Sequence, residues 1–463
     1  MWCKRPKSWQ MASVVFGCLI TVACTPSHPA AGPAVAPVPV DISQRPRTPD
    51  RIIPVPSGGV LSLEQAVQRA VTWHPSINEA IARLQQQAEE INIARAGYYP
   101  SVSGGLDLGT GDALGGGEWE PALNISASQT IFDFGKTSSA VDAATAGTEV
   151  TRAQVLRAAD QVILDTAYAV IEVQRNQALK QIALDHVAGV EAIADLVRQR
   201  TNTGAGTRSD ILQAELRIRG AEATVFEVEA NLPRWQSKLA YLMGNQGPVA
   251  VSADVPGWLA GTCNAGEPIW SDVPAIMQAR AQLDEAQAQS DAARADIFPT
   301  LSLDVGTDIG LRDFGHTDPD IYVGLGFSGK IFDGGAAGAR SSAAGYAAQA
   351  ATAALETAQM EVSLALTDAR DHSSGLLRML DGMTERDALL VETRDLFRQQ
   401  YLDLGTRTLL DLLDAERDLH QGRLERINTI EDIRKLRVDC LYNSGMARKA
   451  FSLSGQRILG ISL

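Results

Sequence analysis

Two regions of the chain alternate strictly between apolar and small or polar residues. Val102, Gly104, Leu106 and Leu108 alternate with Ser103, Gly105, Asp107 and Gly109, and a return run sets Leu123, Ile125 and Ala127 against Asn124, Ser126 and Ser128. Further on, Leu301, Leu303, Val305, Thr307, Ile309 and Leu311 alternate with Ser302, Asp304, Gly306, Asp308 and Gly310, and Ile321, Val323, Leu325 and Phe327 with Tyr322, Gly324, Gly326 and Ser328. Period two at this length predicts strands with an apolar medium on one side and water on the other. A half-buried sheet packed on helices would alternate as well. The strand length, the aspartates on the polar face and the Gly-rich loop Thr110 to Gly117 favour strands that cross a membrane. Tyr98, Tyr99, Phe132, Phe134, Phe298 and Phe332 cluster at the helix-proximal ends of these strands, as an interfacial girdle would.

Between the hairpins the pattern turns helical. Pro75 and Pro274 open helices predicted over Ser76 to Gly97 and Ala275 to Asp296, and Pro100 and Pro299 stop them. After each hairpin a very long helix is expected, Lys136 to about Arg200 and Ala336 to about Leu404, each on the order of 100 Å long. Gly-Thr-Arg turns reverse the chain, and helices from Arg208 to Met243 and from Leu409 to Tyr442 run back only partway. Two short helices stacked end to end would then flank each long one.

These elements repeat. Trp73-His74-Pro75-Ser76-Ile77 is echoed by Asp272-Val273-Pro274-Ala275-Ile276, Ala94 to Pro100 by Ala293 to Pro299, and Ile131-Phe132-Asp133-Phe134-Gly135 by Ile331-Phe332-Asp333-Gly334-Gly335. Gly206-Thr207-Arg208 likewise matches Gly405-Thr406-Arg407, and Asp210 to Glu215 matches Asp411 to Glu416. Five blocks in one order at nearly constant spacing indicate a duplication. The expected organisation is a first repeat over 61–244 with its hairpin at about 101–132, an inter-repeat segment 245–271, a second repeat over 272–445 with its hairpin at about 300–332, and a C-terminal tail 446–463.

Composition narrows the function. The 463 residues carry a formal charge of −14, are 45% hydrophobic and only 5% aromatic. Apart from Met11 to Ala23, no uncharged apolar run approaches the roughly 20 residues of a spanning helix, which excludes a polytopic helical membrane protein. The acidic balance argues against a surface built for nucleic acid. Six scattered His, expected as solvated positions, and no recurring nucleophile or base give no metal site, no cofactor and no enzyme. Residues 336–358 are mostly Ala, Ser, Gly, Thr and Gln, which suits the solvated wall of a tube better than a broad apolar core.

At the N-terminus, Lys4, Arg5 and Lys7 precede the apolar segment, the order of a signal peptide over 1–23. Its removal takes the net charge from −14 to −17. Thr21-Val22-Ala23-Cys24 resembles a bacterial lipobox, so Cys24 is expected to be lipidated and to become residue one. Cys18 is a second candidate, but cleavage there would leave an apolar tail. Residue 25 is Thr rather than Asp, which by resemblance to bacterial lipoproteins implies the outer membrane rather than inner-membrane retention. Nine prolines between Thr25 and Val60 hold residues 24–60 extended as a tether. Cys263 and Cys440 enter an oxidising compartment where a disulfide is permitted; free thiols are the simpler expectation.

The duplicated unit, the Pro-flanked hairpins, the Phe-Asp-x-Gly after each hairpin and Gly405-Thr-Arg-Thr-Leu-Leu-Asp-Leu-Leu-Asp-Ala-Glu416 resemble the TolC family of outer-membrane exit ducts. The resemblance covers about residues 60–446. It implies an α+β membrane protein, internally duplicated, whose homotrimer joins a 12-stranded β-barrel to a 12-helix periplasmic α-barrel. It also implies partners: outer-membrane lipid, a periplasmic adaptor (membrane fusion protein) and an inner-membrane ABC or RND transporter. The tip sequence resembles members that serve type I protein secretion, while the expected lipid anchor favours multidrug (RND-type) efflux. A trimeric coiled-coil adhesin would place its hairpins once, at the C-terminus. By resemblance, Asp411 and Asp414 are pore-constriction carboxylates, with Asp210 at the first tip. Arg407 is a tip residue that ties the closed state or meets the adaptor, together with Arg208, Gly405 and Thr406. Asp411 and Asp210 also read as capping-box acids of Thr408 and Thr207. Leu402 stands where the best-known member of that family has a tip tyrosine, with Tyr401 one residue out of register.

Overall fold

The computed structural model describes residues 60–110, 119–264, 266–310 and 320–462. The signal peptide, Cys24, nearly all of the Pro-rich segment and the Gly-rich hairpin loop lie outside the described residues. The described residues open with α1 (Leu63–Trp73), started by a capping box between Ser62 and Gln65, and α2 (Pro75–Ala96), with Pro75 at its first position. Strands β1 (Ser101–Thr110) and β2 (Trp119–Phe132) lead into α3 (Lys136–Asn202) and α4 (Arg208–Leu242). The order then recurs: α5 (Pro274–Ala295), β3 (Thr300–Gly310), β4 (Asp320–Ser328), α6 (Ala336–Gln399) and α7 (Leu409–Asn443). The expected tail is folded, as the single turn α8 (Ala447–Ala450) and the small hairpin β5 (Arg457–Ile458) and β6 (Ile461–Ser462).

The motif Phe-Asp-x-Gly has a local cause. Asp133 accepts hydrogen bonds from the N–H groups of Gly135 (3.0 Å) and Thr137 (2.8 Å), and Asp333 does the same for Gly335 (3.1 Å) and Ala337 (2.7 Å). Gly135 and Gly335 turn the chain at φ +91° and +89°, values a side chain resists. The carboxylate thus meets the orphan donors at the start of each long helix and favours its positive dipole end.

The four long strands form one antiparallel sheet in the order β1-β2-β3-β4. Its register brings Leu106 opposite Leu123, Leu123 opposite Ile309, and Val305 opposite Val323, so the apolar positions of all four strands share a face. That face is bare: Val102, Val323, Leu325 and Phe327 are each about 70% exposed. On the opposite face Ser103 meets Ser126 (2.8 Å), Asn124 donates to Asp107, and Asp304 accepts from Ser128 (2.6 Å) and Ser302 (2.8 Å). A bulge between Thr130 and Phe132 brings Phe132 opposite Leu301 on the apolar face. There Phe132 packs edge-on to Phe134, which stacks on Phe298 at 5.1 Å, the start of an aromatic band beside the helices.

Along α3, α2 covers the strand-proximal part, with Thr148 bonded to the carbonyl of Gln87, and α4 covers the far part, with Lys180 paired to Glu229 at 2.8 Å. In the second half α5 packs Ile276 against Val362 of α6, and α7 joins α6 further on through Arg386 and Glu425 (3.0 Å). No helix among the described residues is long and apolar enough to cross a membrane. The main apolar core is a belt where α1, α3, the ends of α4 and α7, the inter-helix segment and the C-terminal residues meet, with Phe451 and Leu453 fully buried. Thiols are not left free here. Cys263, on a 3-10 helix (Gly257–Asn264), is disulfide-bonded to Cys440 near the end of α7, because Thr262 docks that short helix on the carbonyl of Arg437 and brings the two Cα atoms to 5.2 Å.

Candidate functional site

The far ends of the long helices form a tip built around an apolar cluster. Val190, Ile193, Ala194 and Val197 of α3 pack with Ala214 of α4, Tyr401, and Leu409, Leu412 and Leu413 of α7. In the first turn Thr207 is the N-cap of α4 and exchanges bonds with Asp210: the Thr207 N–H donates to its carboxylate (2.9 Å) and the Asp210 N–H donates to the Thr207 hydroxyl (3.2 Å). In the second, Thr408 and Asp411 make the same box at 3.1 and 3.2 Å, with the Thr408 hydroxyl donating as well (3.0 Å). The Thr408 backbone N–H first, then its hydroxyl and the Arg407 charge, hold the Asp411 carboxyl below the usual carboxylate range. Such a box contributes about 1 kcal/mol to its helix.

The matching caps are therefore Thr207 and Thr408, so Arg208 and Arg407, paired by sequence, occupy different places. Arg208 is the exposed first residue of α4. Arg407 lies before the second cap; its Nε donates to Gln400 (3.1 Å) and its guanidinium sits 4.2 Å from the centre of the Phe397 ring. Both of its partners belong to its own hairpin. The extra length of this turn is a five-residue π-helix, Gln400–Leu404, closed by Gly405 at φ +61°, with Thr406 exposed beyond it. The wider turn rotates Tyr401 inward to 5% exposure and leaves Leu402 at 37%.

Tyr401 receives the residue that sequence reasoning missed. Arg200, at the end of α3, donates to the Tyr401 carbonyl and lies 4.4 Å above its ring, linking the two hairpins. Only its last-turn position in α3 marked it. Arg200→Ala is expected to raise amide exchange across 400–404, since both contacts disappear together. Exchange no faster than in the parent would remove Arg200 as the tie.

Asp414 lies one turn into α7 and is half-exposed. Arg417 approaches it at 2.9 Å and Arg217 of α4 at 3.5 Å, so this carboxylate is flanked by cations while Asp411 and Asp210 cap helices. Two of the histidines expected to be solvated are not. His186 of α3 and His420 of α7 stack face to face, 4.0 Å between ring centroids, because the two helices bring one turn of each into contact there. Among the described residues no cluster of His, Cys, Asp and Glu has the arrangement of a metal site.

The sequence profile of the outer membrane efflux protein family matches residues 66–245 and 271–434. Outer membrane protein TolC of Salmonella enteritidis is 24% identical over 389 residues, covering 79% of this chain and 78% of its own length. Protein CyaE of Bordetella pertussis is 26% identical over 326 residues, covering 67% and 68%. The crystal structure of the outer membrane protein VceC from Vibrio cholerae superposes with a TM-score of 0.72 at 19% identity, over 83% of this chain and 96% of that one. Matching across both halves, from the first short helix to the returning α7, makes this chain a member of the outer membrane efflux protein family, channel proteins of the outer membrane and not enzymes.

Proposed function

We propose that three copies of this chain assemble into one duct, twelve strands closing a barrel in the outer membrane and twelve helices forming a periplasmic tunnel. One observation carries this reading: a four-stranded sheet with a bare apolar face and, among the described residues, no strand paired to the outer edges of β1 and β4. Open edges are not tolerated in lipid, and four strands are too few to close. Strands from other copies satisfy both edges. Polar faces then line the lumen, with Asp107 and Asp304 among them, and α3, α4, α6 and α7 continue the wall. The two repeats, 61–244 and 272–445, are half-walls of one protomer, and Cys24 carries the lipid that anchors the Pro-rich tether.

In this reading the duct passes substrates outward passively, coupled through a periplasmic adaptor to an inner-membrane transporter. The resemblance of residues 405–416 to secretion ducts favours type I protein secretion with an ABC transporter over RND-type drug efflux. Capture of the cross-linked adaptor with its transporter decides between them.

At the entrance, Asp411 and Asp414 would form two rings of three carboxylates that favour cations. Asp414→Ala combined with Asp411→Ala is expected to reduce cation selectivity, read as a smaller reversal potential across a salt gradient in planar bilayers. Because Arg217 and Arg417 already flank Asp414, the Asp411 share is the larger. An unchanged reversal potential would sink the ring.

A further inference from the structure

Above the apolar tip cluster, the contact between α3 and α7 becomes titratable. The His186 and His420 rings lie 10° from parallel at 4.0 Å, and Nδ1 of each is buried with no hydrogen-bond partner among the described residues. One turn away the buried Glu416 of α7 presses its carboxylate against Gly189 of α3, where no Cβ has room. Most of the surrounding charges are paired with one another, and Arg423, which also acts on His420, is a cation. On α6, Arg394 faces Glu416 at 3.8 Å, with Asp395 and Arg398 also acting on it, and Asp387 takes Arg423 of α7 at 3.5 Å. On α4, Glu229 is held by Lys180 and Glu222 by Arg219; on α3, Asp185 accepts from Gln181. No described carboxylate is hydrogen-bonded to either imidazole, so no negative charge compensates a second proton on the pair; only the Ile182 backbone favours a protonated His420.

We propose that the His186–His420 stack is a proton-sensitive latch: neutral rings hold α3 against α7, and protonation parts the two helices at the tip. Two imidazolium rings at this separation, His420 buried and His186 half-buried, repel each other. Burial holds both rings below the ordinary histidine range. His186 is driven to about 4 by burial and by His420; at His420 burial leads, the backbone of Ile182 opposes it and Arg423 reinforces it. Separated, solvated rings return to 6.5. The stacked state is therefore favoured fully above pH 6.5, and that advantage is lost as the pH falls towards about 4. Parting starts at the tip because the other end of α7 is held by the disulfide at Cys440.

The consequence, a wider entrance at low pH, rests on the duct reading; the parting of the helices does not. The test is hydrogen exchange on the full chain, corrected for intrinsic rate, from about pH 7.5 to about pH 5. In the parent, exchange in 183–194 and 412–424 is expected to rise several-fold with acid. The double variant His186→Phe/His420→Phe keeps the stack without the titration and is expected to stay flat, and His186→Gln/His420→Gln serves if the aromatic pair does not fold. A flat parent overturns the latch. So does a double variant that responds as the parent does, which would assign the response to Glu416 and be checked with Glu416→Gln. Bilayer conductance is recorded in parallel: exchange that responds without any conductance would overturn the duct and leave the latch standing, and conductance with flat exchange does the reverse.

Discussion

Replacing Cys263 and Cys440 together by Ala is expected to lower the thermal midpoint of the helical belt by the largest amount of any change considered. The bond closes 177 residues of chain, a constraint on the unfolded state of about 5 kcal/mol in the loop-entropy treatment. Cys440 is fully buried in a cluster with Leu366, Ala369 and Leu436, so alanines also leave a small void beside α7. Reduction with a permeant thiol reagent is expected to reproduce the loss without the void, which separates the two effects. Melting at a fixed scan rate, with and without reductant, reads the result. A midpoint indifferent to both treatments would show that the belt core alone sets the stability.

The second large effect belongs to Asp160 and Arg448. Asp160 of α3 is 1% exposed and meets Arg448 of α8 at 3.2 Å, while the same guanidinium donates to the Asp272 carbonyl (2.8 Å). This one side chain ties the C-terminal turn, α3 and the start of the second half together. Arg448→Met removes the partner of a buried carboxylate, a loss of about 3–5 kcal/mol. The sign of its pH dependence follows from burial, which pushes the Asp160 carboxyl up to about 7 against the pull of Arg448. A folded-state value above 3.8 means that Asp160 favours folding most below 3.8, and that this contribution is lost as the pH rises through about 7. Arg448→Met is expected to steepen the loss at neutral and alkaline pH, and Asp160→Asn with Arg448→Met to flatten it. Melts at several pH values check both; a parallel decline in the single and double variants would remove Asp160 as the cause.

Much of this was legible because its causes are local. Period-two alternation marks the strands, since neighbouring side chains must point to opposite faces. Proline at Pro75 and Pro274 opens a helix, and the boxes Thr207 to Asp210 and Thr408 to Asp411 are contained in four residues each. The capping role of Asp133 and Asp333 was present in the repeated Phe-Asp-x-Gly but carried no meaning until the donors at Gly135, Thr137, Gly335 and Ala337 were located.

By itself, the amino-acid sequence determined the alternating strands, the long helices with their shorter returns, the doubled order of elements and the two capping boxes at Thr207 and Thr408. Each depends on residues within a few positions of one another. The tertiary structure alone decided which distant positions meet. A helical residue turns by roughly 100° relative to the one before it, so the partner of a residue near the end of a long helix depends on rotation and register accumulated over its whole length. That is why Arg200 found Tyr401 through an unforeseen π-turn, why His186 stacks on His420 rather than facing water, and why Cys263 and Cys440 are bonded rather than free. The bulge that moves Phe132 to the apolar face has the same origin: strand pairing over a long separation overrode the local alternation.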